Sequence, residues 1–313
     1  MGNIMECVLP EGYLNENSLF RCETLYVGTN GRKVERFFLT PTESYIFKPL
    51  TNPSQFGKER WIYEQVLPDL KVPAPKIVAA SQSDKPEHSW IIFEDMGALT
   101  HQFEEKSVLQ MAKTIAHWHA FPIDHLKVSG LLGPKPPIAE MIETLLAEKR
   151  NRLNSSSFKP YQSVIAKVFK HLNDSLSQEL VFSHGDLHLG NYAASGNRVV
   201  VLDWEHAHLN MRYWDLYHLL DLSHPLFPKT VTSDLREKAL DGYLAAVDQT
   251  GRRLERGAFK KDYYTFSAIF SLWMLLLIEK DLKNPPEKWP KECLLAQWDE
   301  TLTALIQCAE RLE

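Results

Sequence analysis

Val181-Phe-Ser-His-Gly-Asp-Leu-His-Leu-Gly-Asn191, followed by Val199-Val-Val-Leu-Asp-Trp-Glu205, is the stretch on which the fold turns. Two apolar runs, 180–182 and 199–202, have strand composition and bracket a polar loop. β-Branched and aromatic residues suit a buried, pleated surface. The loop gathers His184, Asp186, His188 and Asn191, and Asp203 closes the second run. A loop so dense in ionisable and amide groups, set beside two buried strands, predicts a functional site rather than a solvated turn.

Asp186 and Asn191 lie five positions apart. This is the Asp-to-Asn spacing of a kinase catalytic loop, in which the Asp accepts the substrate hydroxyl proton and the Asn holds magnesium. Asp203 stands at the end of the next strand, where a second metal-binding Asp is needed. His-Gly-Asp-Leu-His-x-Gly-Asn followed by Leu-Asp-Trp-Glu resembles the aminoglycoside phosphotransferase and choline kinase-like family of small-molecule kinases. The resemblance implies an α+β, protein-kinase-like bilobal fold, with an N-terminal antiparallel sheet plus helix and a larger, mainly helical C-terminal lobe. It implies transfer of the γ-phosphate of Mg-ATP to a hydroxyl of a small molecule, with ATP and Mg2+ as cofactors. On the matching positions Asp186 is the catalytic residue and Asn191 and Asp203 are metal ligands. His184, His188 and Asp215 are supporting residues; for His188, γ-phosphate contact and loop support both stay open. The Asp-Phe-Gly of protein kinases is replaced by Asp203-Trp-Glu205, which argues against a protein substrate.

Working outward, residues 24–27, 34–39 and 45–48 read as an antiparallel meander, with a turn at Gly28-Thr-Asn-Gly31. A glycine turn after the first strand and a lysine ending the third follow the order of a kinase N-terminal lobe. The turn is not G-x-G-x-x-G, but its amides could lie over ATP phosphates. A strand lysine is commonly a snorkelling edge residue; the position of Lys48 makes it the candidate for phosphate contact. Residues 56–67 read as a helix stopped by Pro68. Glu59 and Glu64 are the acidic partners it offers Lys48, and the resemblance places the role on Glu59. Residues 76–80 and 90–93 read as strands. The second ends in Glu94-Asp-Met-Gly97, as an interlobe hinge would. Phe93, Glu94, Asp95 and Met96 would then face adenine, and Gly97 would let the chain turn away. This sets a nucleotide-binding lobe at 1–97 and a catalytic and substrate-binding lobe at 98–313.

The second part is mainly helical. Helices are expected at 108–119, 138–150, 161–176, 232–249, 259–279 and 290–312, with a proline-rich loop at 130–137 and a polar, serine-rich segment at 151–159. His119, in Trp118-His-Ala120, reads as structural. Trp214-Asp-Leu-Tyr-His-Leu-Leu220 resembles the family segment whose acid, here Asp215, supports the catalytic loop. The apolar run 268–278 is too short to span a bilayer and reads as a core helix.

The chain has 313 residues and a net charge of −5, which leaves no electrostatic footprint for nucleic acid. Cys7, Cys22, Cys293 and Cys308 are scattered and form no C-x-x-C pair, so reduced thiols are expected. Residues 1–10 lack the basic start and apolar run of a signal peptide. A cytoplasmic location without a membrane partner is the expectation, and nothing fixes an oligomeric state. The expected partner is a small-molecule hydroxyl acceptor. Aminoglycosides, choline, sugars and amino-alcohols are the classes the resemblance allows. Nearly balanced charge from His206 onward weighs against a polycation. Trp214, Tyr217, Tyr263, Tyr264, Trp273 and Trp298 could box a quaternary amine or pack the core. Two other readings compete. One is a kinase-fold binding protein without catalysis. The other is a metal-dependent hydrolase with His184, Asp186, His188 and Asp203 on a transition metal; it leaves Asn191, Lys48 and the meander unexplained.

Overall fold

The computed structural model describes residues 4–28, 30–70, 72–125, 133, 135–174, 176–196, 198–284, 286 and 289–312. Thr29 of the expected glycine turn, residues 130–132 and 134 of the proline-rich loop, and Ser175 lie outside the described residues. The chain divides into two compact units: Met1–Thr100 with Ala194–His206, and His101–Ala193 with Ala207–Glu313.

In the first unit, β1 (Arg21–Val27), β2 (Lys33–Phe38) and β3 (Ser44–Pro49) are followed by helices α1 (Lys58–Gln65) and α2 (Leu67–Leu70). Strands β4 (Ile77–Ala80) and β5 (Trp90–Glu94) then complete a five-stranded sheet in the order β1-β2-β3-β5-β4, antiparallel at every pairing. Successive side chains along a strand point to opposite faces. Phe47 therefore joins Phe37, Trp90 and Ile92 on one face, packed on Cys7 and Leu14 of the N-terminal segment. Lys48 falls on the other face, directly across from Ile91. Phe93, two residues along β5, shares that face and meets Tyr63 of α1 with ring centroids 4.9 Å apart. The sheet alternation thus aims Lys48 at α1.

The helix expected over 56–67 is two. α1 ends at Gln65, and Pro68 lies in the first turn of α2, where the amide proton it lacks has no intrahelical partner anyway.

The second unit opens with α3 (Glu105–His119), α4 (Ile138–Glu148) and α5 (Gln162–Lys170). α5 is shorter than the expected 161–176. The segment before it is anchored by buried Leu153 and Phe158. β6 (Leu180–Ser183) leads into the polar loop; next in the chain, β7 (Tyr192–Ser195) and β8 (Arg198–Val201) form a two-stranded sheet, and β8 belongs to the first unit. The two apolar runs that bracket the loop are therefore not partners. β6 pairs instead with β9 (His208–Met211), a strand the sequence did not announce. α6 (Tyr213–Leu220), α7 (Ser233–Gln249), α8 (Arg256–Lys283) and α9 (Lys291–Glu310) complete the unit. Thr232 caps α7 by accepting from the Leu235 N–H, and Glu255 caps α8 by accepting from the Gly257 and Ala258 N–H groups.

α8 is buried around most of its circumference. Among the described residues no helix is long and apolar enough to cross a membrane. Trp214, Tyr217, Tyr263, Tyr264 and Trp273 are all buried, and Tyr217 stacks on Phe270 at 4.1 Å. These five rings are core; Trp298, the sixth, is half-buried with its ring 5.3 Å from Phe158.

A buried carboxylate ties the last four helices together. Asp221, just past α6, accepts from Arg236 Nε (2.9 Å) and Nη2 (2.7 Å) of α7, and from the Tyr263 (2.5 Å) and Ser267 (2.7 Å) hydroxyls of α8. Arg236 Nη1 donates to Gln307 of α9 at 2.9 Å. Removing one member of a buried pair strands the other charge, whereas removing both does not. Asp221→Leu is expected to cost roughly 3–5 kcal/mol. The double variant with Arg236→Met should cost clearly less than the two single losses added. Urea denaturation of the three variants checks this, and strict additivity would contradict it.

Candidate active site

The first unit supplies an ion cluster. Lys48 Nζ lies 2.8 and 2.7 Å from the two Glu59 carboxylate oxygens, 2.7 Å from Asp203 Oδ1 and 3.7 Å from Glu205 Oε2. Glu59, Ile62, Tyr63 and Val66 recur at i, i+3, i+4 and i+7, so Glu59 sits on the buried stripe of α1. Glu64 is exposed and pairs with Arg60 at 2.8 Å instead. Asp203 adopts φ +59°, the one positive φ outside glycine among the described residues. Asp tolerates this left-handed region better than most residues, and the conformation turns the chain directly after β8.

Burial disfavours the Lys48 charge, but Asp203, Glu59 and Glu205 outweigh it and hold the ammonium well above the usual lysine range. Burial pushes the Glu59 carboxyl up, Lys48 pulls it back, and Asp203 and Glu205 add to the push. Three carboxylates thus face the Lys48 ammonium, and the Lys58 charge also acts on Glu205. Oxygens of Glu59, Asp203 and Glu205 lie within 4.8 Å of one another. Excess negative charge on hard oxygen donors is the chemistry a magnesium ion fits. Asp203 is the open member, with 36% of its side chain exposed against 9% for Glu59 and for Glu205. A polar recess of about 470 Å3 adjoins the cluster, lined by Gly28, Asn30, Thr51, Asn52, Glu205 and His206 among others.

The hinge candidates lie in the same unit. Phe93 is buried against Tyr63. The Glu94 N–H donates to the Lys76 carbonyl, and Glu94 Oε1 accepts from the Lys76 N–H, both at 2.9 Å. Asp95 is fixed by Arg36 Nε (2.7 Å), the Ser44 hydroxyl (2.7 Å) and the Gly97 N–H (3.0 Å). Met96 is half-buried, and Gly97 takes φ +76°, which glycine adopts without strain.

The second unit holds the polar loop, organised by Asp215. This fully buried carboxylate accepts from the Ser183 hydroxyl (2.7 Å), the His184 N–H (2.9 Å), the Gly185 N–H (3.1 Å) and Trp118 Nε1 (2.9 Å). Trp214 Nε1 donates to the Gly185 carbonyl at 2.9 Å. His119 Nε2 lies 3.2 Å from Asp215, and its Nδ1 is 2.9 Å from the Tyr243 hydroxyl, to which Arg212 donates at 3.1 Å. Arg212, Tyr243 and His119 thus form a relay of donors ending on Asp215. Burial keeps His119 below the usual histidine value despite the acid beside it. For Asp215, burial opposes ionisation, but His119, His184 and Ser183 outweigh it and hold the carboxyl well below the ordinary range.

Asp186 is half-buried at the loop's centre. Lys135 Nζ is 3.2 Å from its Oδ1, and His188 Nε2 is 3.7 Å from its Oδ2. The Asn191 side-chain N–H donates to the Asp186 carbonyl at 2.8 Å, which leaves Asn191 Oδ1 as the oxygen that could hold a cation. His184 Nδ1 accepts from the Asp186 N–H (3.3 Å) and His188 Nδ1 from the Gly190 N–H (2.9 Å). Both imidazoles are therefore turned to the backbone of their own loop. The His-Asp-His-Asp quartet a hydrolase would need is not among the metal-ready groups of the described residues; Glu59, Asp203 and Glu205 are. Three residues of these clusters carried no assigned role in the sequence reading. Lys135 comes from the proline-rich loop and His218 from α6, and only tertiary structure brings them to Asp186. Glu205 was in view beside Asp203, and its acidity two residues on was the available signal.

A model of the phosphotransferase enzyme family, APH, matches residues 25–256, and the chain belongs to that family. No curated protein matches. Among solved structures the chain is similar to a provisionally assigned aminoglycoside phosphotransferase from Ralstonia eutropha JMP134 (16% identity, 95% of this chain and 96% of that one, TM-score 0.64). It is also similar to aminoglycoside 2′-phosphotransferase-IIIa in its GDP complex (14%, 91% and 94%, TM-score 0.60). A third is choline kinase from Cryptosporidium parvum Iowa II (14%, 98% and 94%, TM-score 0.57). At these identities the likeness is one of fold, the protein-kinase-like bilobal fold.

Asp215 gives the site a pH signature. Its folded-state value is depressed, so its stabilisation is complete above the unfolded value of about 4 and is lost as pH falls through the folded one. Asp215→Asn should destabilise by roughly 3 kcal/mol at neutral pH. The gap from wild type should then shrink progressively below about pH 4. Urea denaturation across pH reads this; a gap constant with pH would contradict it.

Proposed function

We propose that this phosphotransferase moves the γ-phosphoryl group of ATP to a hydroxyl of a small molecule, using magnesium. The observation that carries the reading is the Lys48 ammonium held between Glu59 and Asp203 with Glu205 at its side. A lysine fixed in this way can meet the α- and β-phosphates as a positioned point charge. Asn191 Oδ1 and the Asp203 carboxylate are the proposed metal ligands. Bound magnesium would neutralise the charge that develops on the phosphate oxygens. Adenine falls to the backbone past β5, around Asp95 and Met96, because the Glu94 N–H is already spent on Lys76. We assign nucleotide binding to residues 1–97, with Phe93 and Glu94 bordering the base. Acceptor chemistry falls to 98–313.

Asp186 orients the acceptor hydroxyl and receives its proton. Asp215 holds the loop that presents it, with His184 and His188 bracing the backbone on either side. The chemistry needs little more from the protein, since phosphoryl transfer is accelerated mainly by positioning and by electrostatic stabilisation.

Asp186→Asn keeps the shape of the side chain and removes its basicity. The expected result is a fall in kcat of about two to four orders of magnitude with Mg-ATP affinity and melting temperature nearly unchanged. An ADP-release assay beside an equilibrium titration measures both. An unchanged kcat would remove Asp186 from the catalytic role, and joint loss of stability and ATP binding would make it a structural acid.

A further inference from the structure

Lys135, from the segment before α4, reaches Asp186 within the second unit. Its Nζ is 3.2 Å from Asp186 Oδ1 and 3.2 Å from His218 Nε2. The chemistry of these contacts is fixed by His218, which is fully buried and stacked on Trp214 at 5.3 Å. His218 Nδ1 lies 2.8 Å from the Trp214 carbonyl, which can only accept, so the ring proton sits on Nδ1 and Nε2 presents its lone pair to Lys135. Burial and the Lys135 charge both hold His218 well below the usual histidine value, which keeps that lone pair bare.

An ammonium has three N–H donors. Asp186 and His218 take two, and among the described residues the third has no partner. Lys135 is seated rather than loose. At Gly133, two residues before it, an added Cβ would lie 2.5–2.6 Å from ring atoms of His208, so only glycine allows the loop to approach this closely. The Lys135 side chain is 19% exposed and that of Asp186 20%, so both reach solvent from a largely enclosed setting. The other Asp186 oxygen faces the N–H edge of His188, because His188 Nδ1 already accepts from Gly190.

An acceptor hydroxyl reaching Asp186 therefore meets an already neutralised carboxylate beside an ammonium with a donor to spare. We propose that Lys135 makes the acceptor subsite selective for a hydroxyl compound bearing an anionic group, carboxylate or phosphate, and hostile to cationic acceptors. The anionic oxygen takes the third Lys135 N–H. A quaternary amine or a protonated aminosugar would instead bring like charge against Lys135, while Asp186 is already paired with that lysine. This rests on Asp186 as the acceptor-side base and adds a determinant of specificity.

The test uses four small probes that differ chiefly in charge: glycerol, glycerate, glycerophosphate and choline. Each is titrated at equilibrium into the wild type, Lys135→Met and Lys135→Arg, with Mg-ATP affinity and melting temperature measured in parallel. Glycerate or glycerophosphate should bind the wild type at least about tenfold more tightly than choline, the scale of one charge-assisted hydrogen bond. Which of the two binds better tells carboxylate from phosphate. Lys135→Met should abolish the preference and Lys135→Arg restore part of it, without change in Mg-ATP affinity or melting temperature. Choline binding as tightly as the anions, an unaltered preference in Lys135→Met, or no anion binding at millimolar concentration would each overturn the proposal. Failure to bind Mg-ATP would count against the phosphotransferase reading alone, since the charge preference is read without turnover.

Discussion

The first unit is built around the compensation of one buried charge. Lys48 arrives on β3 on the face opposite Phe47, and its ammonium cannot stay there unpaired. Glu59 comes from the buried stripe of α1, and Asp203 and Glu205 from the turn after β8. Sheet, helix and turn therefore share one electrostatic constraint, and shifting any of them strands a charge. Three acids crowd around Lys48, and the Lys58 charge acts on Glu205 as well. Asp203 is the most exposed acid of the three and the one in a left-handed backbone.

Asp215 plays the corresponding part in the second unit. A loop holding His184, Asp186, His188 and Asn191 could settle in many ways, because each side chain can bond the backbone locally. Asp215 draws together Ser183 and two successive backbone amides from the loop's start, with Trp118 and His119 of α3 behind it. The family relationship fits this economy. Solved structures at 14–16% identity share the fold.

Much of this could be read from the sequence where the signal was local. The β1–β3 meander, the catalytic-loop spacing and the helical periods all follow from neighbours within a few residues, and the elements stand close to where they were expected. The resemblance chose Glu59 over Glu64, and the register of α1 explains that choice physically. What escaped depends on long-range register. β9 is four residues, His-Leu-Asn-Met, without strand composition, and it exists because β6 needs a partner. Lys135 lies some fifty residues before Asp186 in a proline-rich stretch, where a lysine looks like any solvated charge. Pro68 reads as a stop because a helix interior rejects proline, although a helix start accepts it. Of the aromatics after His206, Tyr263, Tyr264 and Trp273 are core because α8 is surrounded on nearly every side.

The Lys48, Glu59, Asp203 and Glu205 cluster is where nucleotide and metal are proposed to be held. Titration of ATP into the wild type and Asp203→Ala, each with magnesium and with chelator, tests this most directly. Wild-type affinity should be at least about tenfold higher with magnesium, and Asp203→Ala should bind weakly and indifferently to the metal. Equal affinity for ATP with and without magnesium in the wild type, or full magnesium dependence in Asp203→Ala, would contradict it.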